Sequence, residues 1–185
     1  MKLRGLKIKI FFVIFFFLMY TLLYADVIVI NKIKYEVDLN KKIASVIKNN
    51  GILRKSLKGT VTIPSKIIYN GIEYPVISIQ NAAFENLNLK SIIISEGVIR
   101  IENAAFLNCK KLESVIIPAT ITYIGHMGFQ GCISLVQIEI RSNYPPDCGL
   151  NIFLHVPVEK CRLLVPNCSI SIYTDSSTWK NFIIK

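Results

Sequence analysis

The side chains best suited to chemistry are five cysteines and two histidines, and their spacing does not favour catalysis. His126 and His155 each stand alone, and no pair of cysteines has zinc-knuckle spacing. The chain has no P-loop, no Gly-x-Gly-x-x-Gly after a strand, no His-Glu-x-x-His and no Gly-x-Ser-x-Gly. The sequence therefore predicts a protein that is not an enzyme and that uses no cofactor and no metal.

The cysteines could instead form disulfides. Five is an odd number, so at least one thiol is free or paired between chains. Cys109 and Cys132 hold equivalent positions in a repeat, where stacked strands about 4.8 Å apart allow either a disulfide or two free inward thiols. A staple among Cys148, Cys161 and Cys168 also remains open in an oxidising compartment.

A sequence pattern repeated three times between residues 82 and 140 defines the elements that position these residues. Its marker is a phenylalanine after Ala-Ala or Met-Gly, and Phe84, Phe106 and Phe129 are 22 and then 23 residues apart. Each is followed by Leu-x-x-Ile-x-Ile or its Val variant: Leu89, Ile92, Ile94; Leu112, Val115, Ile117; Leu135, Ile138, Ile140. A period in the low twenties predicts a stacked solenoid.

The alternation within each unit predicts one short strand with one apolar face. Burying six to eight side chains per unit gives on the order of 10–20 kcal/mol, at roughly 1.5–3 kcal/mol each. Ordering about 23 residues costs more, at roughly 1–2 kcal/mol per residue. A single unit therefore cannot fold alone, whereas stacked units share one core through a parallel ladder.

Residues 1–25 have the pattern of a secretory signal peptide. Lys2, Arg4, Lys7 and Lys9 precede an apolar run from Ile10 to Leu23, and Ala25 suits the last position before a cleavage site. The rival interpretation is an uncleaved anchor, although the run is shorter than the roughly 20 residues that span a bilayer. Removing the leader lowers the net charge from +10 to +6.

Export excludes intracellular nucleic acid as a partner and predicts a secreted or cell-surface protein. The remaining positive charge favours anionic surfaces or glycans. Membrane contact is expected only through the transient signal peptide. Residues 41–58 hold a cluster of basic side chains, for which a solvated rim and a binding patch both stay open: Lys41, Lys42, Lys48, Arg54, Lys55, Lys58.

Two hairpins are expected before the regular repeats. Ile33, Tyr35 and Val37 alternate, and a turn at residues 38–41 leads to a second apolar run at residues 43–47. Asn70-Gly71 then lies between apolar residues in a modified first repeat, where both central turn positions need positive φ.

These residues resemble the BspA-like leucine-rich repeat proteins of bacterial cell surfaces. The segment from Gly59 to Val76 is similar to that family's first repeat, and residues 105–125 match its Ala-Phe-x-x-Cys-x-x-Leu-x-x-Ile-x-Ile-Pro-x-x-Ile-x-x-Ile-Gly core. Tyr144-Pro145-Pro146, Leu164-Val165-Pro166 and Trp179-Lys180-Asn181-Phe182 match its closing segment. The resemblance implies a helix at residues 169–173, although β-branched side chains weaken that expectation.

The expected fold is a leucine-rich repeat solenoid, mostly parallel β with short convex or helical turns. A β-hairpin N-terminal cap and an irregular C-terminal cap close its ends. We expect a signal peptide at 1–25, the N-terminal cap at 26–58, a modified first repeat plus three repeats at 59–143, and the C-terminal cap at 144–185.

The candidate binding residues are those between the inward positions of each strand, because they point outward. Stacked, they form three rows on the sheet face: Lys90, Ser91, Ile93; Glu113, Ser114, Ile116; Val136, Gln137, Glu139. Ile93 and Ile116 indicate a contact surface, or else a face that another layer of the chain covers. Both interpretations stay open.

Two hypotheses for function follow. The first is a secreted or surface-attached binding module for a protein or glycan ligand at a cell surface; the resemblance implies adhesion. The alternative is a structural or assembly component of the cell envelope that has no host ligand. An extracellular hydrolase has no support from the motifs.

Overall fold

The computed structural model describes residues 25–49 and 56–185. Apart from Ala25, the predicted signal peptide lies outside the described residues, as do Arg54 and Lys55 of the basic cluster.

Fourteen short strands account for most of the regular structure of the described residues. They are β1 (Ala25–Ile30), β2 (Ile33–Asp38), β3 (Ile43–Val46), β4 (Lys58–Ile63), β5 (Lys66–Tyr69), β6 (Ile72–Ile79), β7 (Asn88–Ile94), β8 (Arg100–Ile101), β9 (Ser114–Ile117), β10 (Tyr123–Ile124), β11 (Gln137–Ile140), β12 (Asp147–Cys148), β13 (Arg162–Leu164) and β14 (Ile183–Ile184). The helix α1 covers Ile170–Asp175, and 3-10 helices cover Val158–Lys160 and Asn167–Ser169.

The strands form two sheets that run along the solenoid. Sheet 1 has the order β1-β2-β3-β6-β8-β10-β12, with β5 paired to the first half of β6. Sheet 2 has the order β4-β7-β9-β11-β13-β14, and all of its pairs are parallel. Each repeat thus contributes one strand to each sheet, which is the stacking that the repeat period predicts.

A third side of the solenoid consists of six-residue turns at residues 81–86, 103–108, 126–131 and 150–155. Backbone bonds also join these turns, since the amides of Phe84, Phe106 and Phe129 donate to carbonyls of the next turn at 2.8–3.1 Å. The residue two before each phenylalanine has a positive φ: Ala82, Ala104, Met127 and Asn151, at 54–58°. That conformation strains L-residues, so these positions depend on the surrounding contacts.

The phenylalanines form one continuous stack through the core. Phe84, Phe106 and Phe129 are parallel within 3°, with ring centroids 5.3 and 5.0 Å apart. Phe153 continues the stack at 5.9 Å from Phe129. The leucine-rich repeat solenoid is confirmed, and the structure adds a fourth turn of the same kind.

Both predicted hairpins occur. Strands β2 and β3 pair antiparallel across residues 39–42, and β3 then pairs parallel to β6 and joins the hairpin to the solenoid. Asn70 and Gly71 connect β5 to β6 with φ of 50° and 75°, as a two-residue turn requires. The structure adds β1, which pairs antiparallel with β2 along six residues.

The C-terminal residues close the other end of the core. Strands β13 and β14 extend sheet 2, while Trp179 is fully buried and meets Phe153 edge-on at 5.0 Å. Helix α1 forms at the site where the resemblance implies a helix, and its Tyr173 donates to the carbonyls of Ser142 and Tyr144 at 3.1 Å. The exact domain boundaries stay predictions.

Candidate functional site

The first outward row of sheet 2 is polar and internally hydrogen-bonded. Register aligns Ser91 with Ser114 and Ser114 with Gln137. The Ser114 hydroxyl donates to Ser91 Oγ at 2.8 Å. Gln137 Oε1 accepts from Nη2 of Arg162 at 2.9 Å. These bonds link side chains of neighbouring strands along the row.

The second row is apolar at its centre. Ile93 lies opposite Ile116, and Ile116 lies opposite Glu139. Both isoleucines are half-buried, since each is flanked by side chains of the neighbouring strands. Glu139 accepts from Nε of Arg141 at 3.0 Å. The row therefore offers a small apolar strip with a paired acidic end.

The third row borders the first and lies in solvent. Nζ of Lys90 is 3.7 Å from a carboxylate oxygen of Glu113, with side chains 66% and 50% exposed. A pair this exposed adds little stability, so its charges remain available for a partner. Val136 follows in the row and is half exposed.

No other layer of the described chain buries this face. Strands β7 and β9 contact other elements chiefly through their sheet neighbours. None of the residues in the three rows is buried. All eight predicted site residues thus lie together on the outward side of sheet 2: Lys90, Ser91, Ile93, Glu113, Ser114, Ile116, Gln137 and Glu139.

Sequence reasoning missed four residues that lengthen two of these rows. Thr60 and Thr62 of β4 align with Ser91 and Ile93 at one end. At the other end, β13 aligns Arg162 with Gln137 and Leu164 with Glu139. The alternation around Leu163 could have indicated strand β13. The register of β13, however, depends on the turn that contains Phe153, and Phe153 does not follow the spacing of the earlier phenylalanines.

A ladder of side-chain hydrogen bonds links the turns on the third side of the solenoid. Asn81 Oδ1 accepts the amide of Asn103 at 3.1 Å, and Asn103 Oδ1 accepts the amide of His126 at 2.8 Å. Nδ1 of His126 then accepts the amide of Leu150 at 2.8 Å. His126 is exposed, and Nδ1 of its ring accepts a backbone amide within this ladder.

The five cysteines are free in the structure. Cys109 and Cys132 stack inward, and their thiols donate to the carbonyls of Phe84 and Phe106 at 3.0 and 3.2 Å. Burial raises the pKa of Cys109 to about 12 and also raises the pKa of Cys132. Thiolates are the reactive form, so both thiols are poor nucleophiles.

The C-terminal cysteines divide by exposure. Burial raises the pKa of Cys148 to about 12 and that of Cys161 to about 11, whereas Cys168 is exposed.

Within the described residues, no cluster of three or more His, Cys, Asp and Glu side chains is arranged to hold a metal ion. Nor does any helix in residues 25–49 and 56–185 have the length and apolar character needed to cross a membrane.

The stacked parallel strands of the two sheets, the inward leucines and isoleucines and the phenylalanine stack define a leucine-rich repeat protein. Residues 50–163 match the family model described as "BspA type Leucine rich repeat region (6 copies)". The chain belongs to this BspA-type leucine-rich repeat family.

Solved structures agree with this assignment. The chain is 26% identical to a leucine-rich repeat protein from Bacteroides capillosus, with a TM-score of 0.54 over 62% of this chain and 81% of that one. It is 28% identical to one from Bacteroides ovatus, with a TM-score of 0.62 over 76% of this chain. It spans only 36% of the Bacteroides ovatus protein.

A leucine rich cell surface protein from Faecalibacterium prausnitzii shares the fold. Its TM-score is 0.55 at 24% identity, over 77% of this chain and 37% of that one. No curated protein matches the chain.

Proposed function

We propose that the protein is an exported, non-catalytic binding module of the cell surface, and that the outward face of sheet 2 contacts a protein partner. One observation carries this proposal: the rows of β7, β9 and β11 lie in register on a face that no other element of the described residues buries.

The composition of the face fits a protein partner. Ile93 and Ile116 form an apolar centre, with hydroxyl and amide groups on one side and the Lys90–Glu113 pair beyond them. An apolar centre with a polar rim is the usual anatomy of a protein interface. Leucine-rich repeat domains generally present an extended sheet surface for such contacts.

The size of the face limits its affinity. Six strands at about 4.8 Å give a strip roughly 25 Å long. A standard interface buries about 800 Å² on each partner, so one copy of this narrow strip should bind weakly. Firm attachment would then need many copies that share one surface.

Two observations support the proposed location at the cell surface. Residues 1–25 have the charge and apolar pattern of a signal peptide. The printed description of the Faecalibacterium prausnitzii relative calls that protein a cell surface protein. Adhesion to a host or neighbouring cell is the form of binding that we propose.

The test compares three double variants displayed on beads against immobilised surface proteins. Ile93→Thr with Ile116→Thr removes the apolar centre but keeps β-branched strand formers. Lys90→Glu with Glu113→Lys exchanges the two charges and keeps their attraction. Ile68→Thr with Ile72→Thr is the matched control, because these isoleucines are 65% and 49% exposed on the β5–β6 hairpin.

We expect both sheet variants to bind at least about tenfold less, while the hairpin control binds like the wild type. Urea melts should show all three variants folded. Equal binding by all variants would remove the sheet face from consideration. If binding falls only when Lys41 and Lys42 are replaced, the site is the N-terminal cap and its ligand is anionic. If no partner is captured and the chain co-purifies with envelope proteins, the structural alternative is correct.

A further inference from the structure

The strand β1 forms the outer edge of sheet 1. It pairs along all six residues with β2, and no described strand pairs with its other side. The exposed backbone amides and carbonyls of such an edge are a template for another strand.

The apolar side chains of β1 leave this edge open. Val27 and Val29 are 53% and 49% exposed on the outer face. Ile28 and Ile30 pack partly against the core on the inner face. Edge strands are usually protected by charged side chains, proline, a bulge or short length, and of these devices the six residues of β1 have only one charged side chain. Its one charge, on Asp26, accepts a hydrogen bond from the hydroxyl of Tyr69 at 2.8 Å.

We propose that β1 pairs antiparallel with β1 of a second copy of this chain, about a two-fold axis at Ile28. The two sheets then join in the order β2-β1-β1-β2 and continue the antiparallel pairing already present between β1 and β2. A two-fold interface uses the same surface on both copies, so the strand must complement itself.

The sequence of β1 is self-complementary in this register. With the axis at Ile28, Val27 lies opposite Val29 of the second copy, and Ile28 lies opposite its equivalent. A one-residue slip would place outer-face residues opposite inner-face residues. A two-residue slip that centres the axis on Val29 would place Val27 opposite the turn residue Asn31. Only the axis at Ile28 matches both valines with valines.

The neighbouring strand supports the same arrangement. On the outer face, β2 places Glu36 beside Val27 and Lys34 beside Val29. Across the two-fold axis, each pair of valines is therefore bounded by a glutamate on one copy and a lysine on the other. No like charges meet, which favours a second copy over a strand of arbitrary sequence.

The contact is small. Two strands of six residues are about 20 Å long, and they bury less than the 1,200–2,000 Å² of a stable complex. Pairing should therefore be weak in dilute solution. It becomes effective when many copies share one surface at high local concentration.

Disulfide trapping tests the register. The full chain, recovered in exported form, would carry Cys168→Ser to remove the one exposed native thiol. Chains with Val27→Cys would be mixed with chains with Val29→Cys, and each would also be oxidised alone. Direct cross-strand neighbours have Cβ atoms about 4.5–5.5 Å apart, whereas the diagonal positions of the single samples are about 7–8 Å apart. We expect at least about fivefold more linked dimer in the mixture. Equal yields in all three samples would overturn the proposal.

Sedimentation tests the surface itself. The average mass of the wild type should rise with concentration up to about 1 mM, as expected for a small interface. Val27→Lys with Val29→Lys should keep the chain monomeric. Leu150→Lys with Leu154→Lys, which adds the same charge at exposed residues of the last turn, should associate like the wild type. A wild type that stays monomeric throughout, or a Leu150/Leu154 variant that loses association equally, would contradict the β1 pairing.

Discussion

At the scale of residues, the phenylalanine stack runs through the core and joins successive turns. Phe106 is fully buried and lies between Phe84 and Phe129 with nearly parallel rings. Its removal leaves a cavity whose walls belong to neighbouring turns, so the surroundings cannot easily collapse into it.

We expect Phe106→Ala to lower the free energy of unfolding by about 3–5 kcal/mol. Urea melts followed by circular dichroism measure the change. Tyr144→Ala is the control, because Tyr144 is 70% exposed. This variant should change the free energy of unfolding by less than about 0.5 kcal/mol. A loss below about 1 kcal/mol for Phe106→Ala would contradict the stacking.

The side-chain ladder on the third side makes a second prediction at this scale. His126 accepts the amide of Leu150 in the same way that Asn103 accepts the amide of His126. The ladder thus requires an acceptor atom, which both imidazole and carboxamide supply.

We expect His126→Asn to keep nearly the stability of the wild type and His126→Ala to lose about 0.5–1.5 kcal/mol. Hydrogen exchange of the Leu150 amide provides a local measurement. This amide should exchange faster in His126→Ala than in His126→Asn. Equal exchange in the two variants would show that the ring makes no useful bond.

At the scale of elements, each sheet owes its order to strands contributed one by one from successive turns. Residues 145–185 supply β12, β13 and β14. They also supply Phe153, which stacks on Phe129, and Trp179, which packs against Phe153. Without them, β11 becomes an uncovered parallel edge.

Deletion of residues 145–185 should therefore give an insoluble or molten chain, because an apolar core and a strand edge are both exposed. Size-exclusion chromatography and urea melts would detect this, with the intact chain purified in parallel as the control. A soluble fragment with a cooperative melt would mean that the C-terminal segment is a separate appendage.

At the scale of the whole molecule, the predicted location rests on residues 1–25. Their positive start and apolar run predict export with cleavage after Ala25. In the described chain, β1 begins at Ala25, so the proposed cleavage would leave residues 26–30 of this strand at the start of the mature protein.

Mass spectrometry of the exported protein should show a chain that begins at Asp26. Leu23→Arg in the apolar run should reduce export, whereas the conservative variant Leu23→Ile should not. An intact chain from Met1 recovered with membranes would mean that the segment is an anchor.

The sequence by itself determined the features that depend on local pattern. The repeat period gave the solenoid, the alternation after each leucine gave the strands of sheet 2, and Asn70-Gly71 gave a hairpin. These features could be predicted because strand alternation, inward packing and turn geometry each depend on residues close together in the chain. The outward positions from Lys90 to Glu139 followed from the same alternation.

Only the tertiary structure decided the features that depend on distant residues. Phe153 joins the stack although the apolar pattern changes after Ile140, because its turn is held by backbone bonds to residues 127–131. Helix α1 forms in spite of its β-branched side chains, because Tyr173 is buried and bonded to carbonyls about thirty positions earlier. The open edge of β1 and the acceptor role of His126 likewise arise from partners that local spacing does not specify. Packing between turns supplies these contacts, and it outweighs local propensity wherever the two differ.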